Sequence, residues 1–165
     1  MALTTLSKRN AVSGSVIQTV SSVSTYAFQT TSTNFVDIDS SSGVTWETAI
    51  TPSSSTSKIL ILPAIMLTNS KSGSGDSRYA LTLRGKIGSG SYSQLGDTAT
   101  DVRFGAYDHG QSGALDGNYH CNQYLWSPST TDECKVAFKL KGNGGIITVS
   151  SANWFSTVTL QEIAG

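Results

Sequence analysis

The chain has 165 residues, which is the length of one domain built on a single core. Apolar residues make up 38% and charged residues only 13%, with 27 Ser and 20 Thr filling the polar positions, so the surface is mostly uncharged and polar. Eleven basic residues offset eleven acidic ones, which removes the whole-molecule field that draws proteins to phosphate backbones or anionic lipid. Nucleic acid and membrane insertion are therefore not expected.

Residues 1–13 lack sustained periodicity and read as an N-terminal arm, with Lys8 and Arg9 as its candidate anchoring charges. They hold no apolar run of the length a secretory signal needs, and no stretch approaches a membrane span, so the expectation is a soluble product that starts in the cytoplasm of whatever cell makes it. From residue 14 onward short β-type runs alternate with Ser, Thr, Gly, Asn and Asp, and no dozen-residue window follows a helical period. The runs are 16–23, 25–30, 35–38, 45–50, 58–67, 78–87, 101–107, 119–126, 135–141, 146–150 and 155–163. Runs so spaced are the signature of a sandwich or barrel, and the fold expected is all-β, an antiparallel β-sandwich of jelly-roll-like type forming one domain over 14–165.

Several runs argue their own geometry. In 134–141, Cys134, Val136, Phe138 and Leu140 alternate with Lys135, Ala137, Lys139 and Lys141, so the first set faces the core. Tyr79, Leu81 and Leu83 alternate with Arg78, Thr82 and Arg84 in the same way. The run 58–67 is apolar on both faces, which predicts either a central strand or a face covered by another subunit, with Pro63 at a bulge or on an unpaired side. Between runs, 69–76 reads as a polar loop and Gly142-Asn-Gly-Gly145 as a hairpin turn. The stretch from Asp108 to Asn118 is the longest protruding loop.

Signals for chemistry are weak. Cys121 and Cys134 read as two buried free thiols, because a cytosolic product is usually reduced. His109, His120, Asp108, Asp116 and Cys121 form one conceivable metal cluster, but His120 and Cys121 are adjacent on a strand and point to opposite faces. Asp37 and Asp39 read as exposed strand carboxylates rather than a Ca²⁺ site or acid pair. No Gly-x-Ser-x-Gly elbow is present, and Ser72-Gly-Ser-Gly-Asp76 lacks the Lys and helix of a phosphate cradle. No enzyme activity, metal or cofactor is expected. Of the aromatic residues, Tyr124 and Trp126 follow the long loop, and a core position is the commoner fate of such rings in a small β domain.

The pairing of Gly14-Ser-Val-Ile-Gln-Thr-Val20 with Ile50-Thr-Pro-Ser-Ser-Ser-Thr-Ser-Lys-Ile-Leu-Ile-Leu62 resembles small β-rich virion structural proteins of tailed bacteriophages, especially phages of aquatic bacteria. Phe35-Val-Asp37, Gly43-Val-Thr-Trp-Glu-Thr-Ala-Ile50 and the ending Thr157-Val-Thr-Leu-Gln-Glu-Ile-Ala-Gly165 extend the likeness, while 68–150 matches no named pattern. The resemblance implies a β-sandwich on the outside of the virion, as a capsid decoration or short fibre. It implies a homotrimer bound to capsid or tail proteins, without cofactor or catalytic residues. The alternative is a tail-fibre protein that binds a host surface glycan or receptor, with Asp108, His109, Gln111, Asp116, Tyr124 and Trp126 as candidate contacts.

Overall fold

The computed structural model describes residues 11–70, 77–96, 105–109, 116–142, 145–150 and 154–165, and for Ser70, Ser77, Arg78, 105–109 and 116–118 it describes the backbone alone. Among the described residues fifteen strands follow in chain order: β1 Val16–Ser24, β2 Phe28–Thr30, β3 Val36–Asp37, β4 Asp39–Ser41, β5 Val44–Thr45, β6 Glu47–Ile50, β7 Lys58–Ser70 and β8 Ser77–Ile87. After these come β9 Ser93–Gln94, β10 Gly105–His109, β11 Asp116–His120, β12 Tyr124–Trp126, β13 Cys134–Gly142, β14 Ile146–Val149 and β15 Ser156–Ile163. Among the described residues there is no helix, and every strand pairing is antiparallel.

Two sheets face each other, as in a β-sandwich. The first runs β1-β15-β7-β14-β2, with β12 and β11 on the other edge of β7. The second runs β10-β8-β13-β3, with β6 beside β13 and β9 beside β8. Between them lies one apolar cluster that includes Ile59, Ile61, Ile65 and Leu67 from β7, Leu81 and Leu83 from β8, and Val136, Phe138 and Leu140 from β13. Trp46, between β5 and β6, reaches across to the first sheet and donates its indole N–H to Ser22 Oγ of β1 at 3.0 Å.

The alternation read in 134–141 is present: Val136, Phe138 and Leu140 are buried, the lysines half-buried. Thr82, expected to face water beside Arg84, is buried, as is Ala137 across the β8–β13 ladder, because the flanking long side chains cover both. The doubly apolar run is a central strand. Its edges are taken by β15 then β14 on one side, and by β12 then β11 on the other. Pro63 pairs with Val158 with no register shift, so no bulge forms there. On its other edge it stands opposite 121–123, the gap between β12 and β11, where a residue without an N–H is tolerated. At Met66 the strand changes neighbours, and one side-chain bond and one backbone bond complete the ladder: the Met66 N–H donates to Ser156 Oγ at 3.0 Å, and the Ser150 N–H donates to the Met66 carbonyl at 3.1 Å.

Other expectations need correction. The run 119–126 is two strands, and Cys121 in the gap between them is an exposed free thiol, whereas Cys134 is buried and free as expected. β13 and β14 do not pair as the hairpin expected at 142–145, of which 143–144 lie outside the described residues. β13 belongs to the second sheet and β14 to the first, so this connection crosses the sandwich. Asn69 and Ser70 belong to β7 rather than to a loop, and the rest of that segment, 71–76, lies outside the described residues. The long loop is shorter than expected, since β10 and β11 take 105–109 and 116–120, and 110–115 lies outside the described residues. Asp37 lies in β3 of the second sheet and Asp39 in β4, which pairs with β5 as a separate two-stranded sheet, and the inward-facing Ile38 stands between them.

Candidate functional site

Three segments far apart in the chain meet at one end of the first sheet. β15 places Val158, Leu160 and Glu162 on its inward face, so that strand alternation buries an acidic side chain completely. Gln18 of β1 stands opposite Glu162 in the ladder and donates from Nε2 to Glu162 Oε2 at 2.7 Å. The second carboxylate oxygen accepts both the Ser53 backbone N–H and the Ser53 hydroxyl at 2.7 Å, which clamps the turn that follows Pro52. Gln18 also donates to the Thr51 carbonyl at 2.7 Å. Burial alone would raise the Glu162 carboxyl, but the hydrogen bonds from Ser53 and Gln18 outweigh it and hold the group below the usual glutamate value. A hollow of about 310 Å³ opens beside this junction, lined by Ile17, Ser53, Ser54, Thr56, Ser57 and Ala164 among others.

The outer faces of the two sheets differ in chemistry. On the second sheet, Lys86 Nζ lies 3.0 Å from Glu47 Oε1 and Lys135 Nζ 3.5 Å from Glu47 Oε2. Arg84 Nη1 lies 3.1 Å from Asp37 Oδ1, with Lys139 Nζ 3.9 Å from Asp37 Oδ2. Tyr92 sits among them. Its hydroxyl donates to Glu47 Oε1 at 2.7 Å, and the Arg84 and Lys86 cations lie 4.9 and 4.5 Å from its ring centre. Burial and the hydrogen bond to Glu47 push the Tyr92 phenol well above its ordinary value. The Glu47 carboxyl is lowered: burial opposes ionisation, and the hydrogen bonds from Tyr92 and Lys86 and the two lysine charges prevail.

On the first sheet the register places Thr19, Ser21 and Val23 of β1 beside Gln161, Thr159 and Thr157 of β15, and those beside Leu60, Leu62 and Ala64 of β7. Leu125 of β12 and Tyr119 of β11 continue this face. Lys58, at its end, is the only charged side chain described at its outward positions. Large apolar groups are left open to solvent there: Val23 is 59% exposed, Leu125 48% and Tyr119 47%.

The residues singled out in the sequence do not converge on one described site. Lys8, Arg9 and Gln111 lie outside the described residues. The backbones of Asp108 and His109 are in β10 of the second sheet, and that of Asp116 is in β11 of the first. Tyr124 and Trp126 are half-buried on the inward side of β12 and pack against the core, so Leu125 between them is the residue that β12 exposes. His120 also points inward, with Nε2 2.7 Å from the Tyr79 hydroxyl, and burial lowers its pKa. Among the described residues, no three His, Cys, Asp or Glu side chains come together as metal ligands would. The Glu162 junction was missed. Its signal was an acidic residue at an inward position of an otherwise alternating strand.

No family model matches the chain, and no curated protein does. Among solved structures, a chain of the infectious bursal disease virus Gx strain is similar over 100% of this chain and 37% of that one, at 12% identity and a TM-score of 0.47. The Gt strain structure gives 10% identity and a TM-score of 0.40 over 100% of this chain and 43% of that one. The infectious bursal disease virus VP2 subviral particle gives 10% identity and a TM-score of 0.39, over 99% of this chain and 42% of that one. The chain thus spans less than half the length of these structures. A likeness this loose identifies neither a family nor a function.

Proposed function

We propose that the chain is a structural protein of a tailed bacteriophage virion, exposed on the particle as a capsid decoration or short fibre and assembled as a homotrimer, with no catalytic role. One observation supports this reading. Three of the segments that resemble such proteins are remote in sequence, yet Gln18 from the first and Ser53 from the second are both hydrogen-bonded to Glu162 from the last. In this reading residues 1–13, with Lys8 and Arg9, attach the β-sandwich to capsid or tail proteins.

The test is incorporation. Particles of the phage that encodes the chain, purified and analysed by mass spectrometry, should contain it, and immunogold labelling should find it on the outside. A chain lacking residues 1–12 should fold, with unchanged thermal unfolding, and be missing from particles. Absence of the full chain from purified particles would overturn the reading, and normal incorporation of the truncated chain would remove the anchoring role from the arm.

A further inference from the structure

We infer that the uncharged outer face of the first sheet is the surface through which copies of this chain meet, three such faces closing around a common axis. The inference rests on the homotrimer proposed above and assigns its interface.

Charge argues first. The second sheet's outer face carries Arg84, Lys86, Lys135, Lys139, Glu47 and Asp37 in ion pairs within the subunit, so covering it would desolvate charges that already have partners. The first sheet's outer face has no described charge besides Lys58 at its end, so identical copies can face one another without bringing like charges together. Its hydroxyls are in part satisfied internally, as Ser21 Oγ and Thr159 Oγ1 are 2.8 Å apart, which reduces the cost of removing water from them.

Dimensions argue next. The face is four strands wide along its length, β1-β15-β7-β12 toward one end and β2-β14-β7-β11 toward the other. Four strands at about 4.8 Å span about 19 Å, and a strand of β7's length runs for about 40 Å, giving roughly 800 Å². That is about what one partner contributes to a standard stable interface. Three walls of this width, closed as a triangular prism, each stand about 5.5 Å from the axis, the width divided by twice the square root of three. Side chains reach about that far, since packed sheets lie about 10 Å apart and each supplies half. The middle strands would then bring Leu60, Leu62 and Thr159 toward the axis, with Val23 and Leu125 at the corners.

The test is mass in solution by sedimentation equilibrium and light scattering, using the full chain and a variant carrying Thr159→Lys and Leu125→Lys, with Ser91→Lys on the other side as control. The full chain and the control should be trimers. The double variant, which crowds six added positive charges around one axis, should weaken association by at least about 100-fold and run as a folded monomer by circular dichroism. Should it not fold, Ser21→Cys supplies the readout: peptide-mapped maleimide labelling at position 21 should be fast in dilute protein and blocked at high concentration. A monomeric or dimeric full chain, a trimer that survives the double substitution, or labelling of position 21 that ignores concentration would each overturn the assignment. None of these outcomes bears on whether the chain is found in particles, which is measured separately.

Discussion

The two outer faces of the sandwich solve the same problem in opposite ways. Each covers one side of a shared core with strands of similar alternation, yet one face is tied together by lysines, an arginine and carboxylates around Tyr92, and the other presents threonine, serine and leucine. A face whose charges are paired within the subunit is finished as a surface. A face that leaves Val23 and Leu125 half in water gains by being covered, because fully burying an exposed apolar side chain contributes about 1.5–3 kcal/mol and these two stand to gain roughly half of that. The low overall charge thus reflects an uneven distribution, not a uniformly bland surface.

The largest expected effect removes what the faces share. Phe138 is buried in the layer between them and pairs with Leu83 in the β8–β13 ladder, so Phe138→Ala should cost about 3–5 kcal/mol of folding stability by urea denaturation. It should disrupt both faces together, and loss of one sheet's amide protection without the other's would show that the faces are separately supported.

A smaller effect is expected at the end of the neutral sheet. In Glu162→Gln the side-chain oxygen can still receive Ser53, but an amide N–H₂ then faces the Gln18 donor, at a cost of about 2 kcal/mol at neutral pH. The sign of the pH dependence follows from the lowered carboxyl. Its stabilisation is full above the unfolded glutamate value of 4.5 and is lost as pH falls through the lower folded value. Denaturation curves of wild type and variant should therefore converge in acid, and a gap that persists there would mean that the charge is not what holds the junction.

The smallest effect is expected on the charged face. Glu47→Gln removes the partner of Lys86 and Lys135 and weakens the acceptor of Tyr92, but this rim is half-exposed and the loss should be no more than about 1 kcal/mol in thermal or chemical unfolding. Association should be unchanged. A change in oligomeric mass would place the charged face in an interface after all.

Much of this architecture is visible in local pattern. The period-two runs at 78–87 and 135–141 name their inward residues because a strand sends alternate side chains to opposite faces, and Leu81, Leu83, Val136, Phe138 and Leu140 are buried accordingly. The doubly apolar run 58–67 left open a central strand or a face covered by another subunit, and pairing on both of its edges makes it central. The failures share a cause. Gly142–Gly145 looks like a hairpin because turn residues separate two β runs, and nothing local says that the second run pairs in the other sheet. The break at 121–123 was hidden because β11 and β12 lie along the same edge of one long partner.

The sequence by itself determined an all-β chain, the inward faces of its clearest strands and the absence of a strong net field, all properties set by neighbours one or two residues apart or by composition. Only the tertiary structure decided that Gln18, Ser53 and Glu162 share one junction, that β12 leaves Leu125 outward between Tyr124 and Trp126, and that, among the described residues, charge is gathered on the outer face of one sheet and nearly absent from that of the other. These depend on which strands pair and in what register. That choice is made by burying the whole apolar surface at once, a global balance that no short window of residues contains.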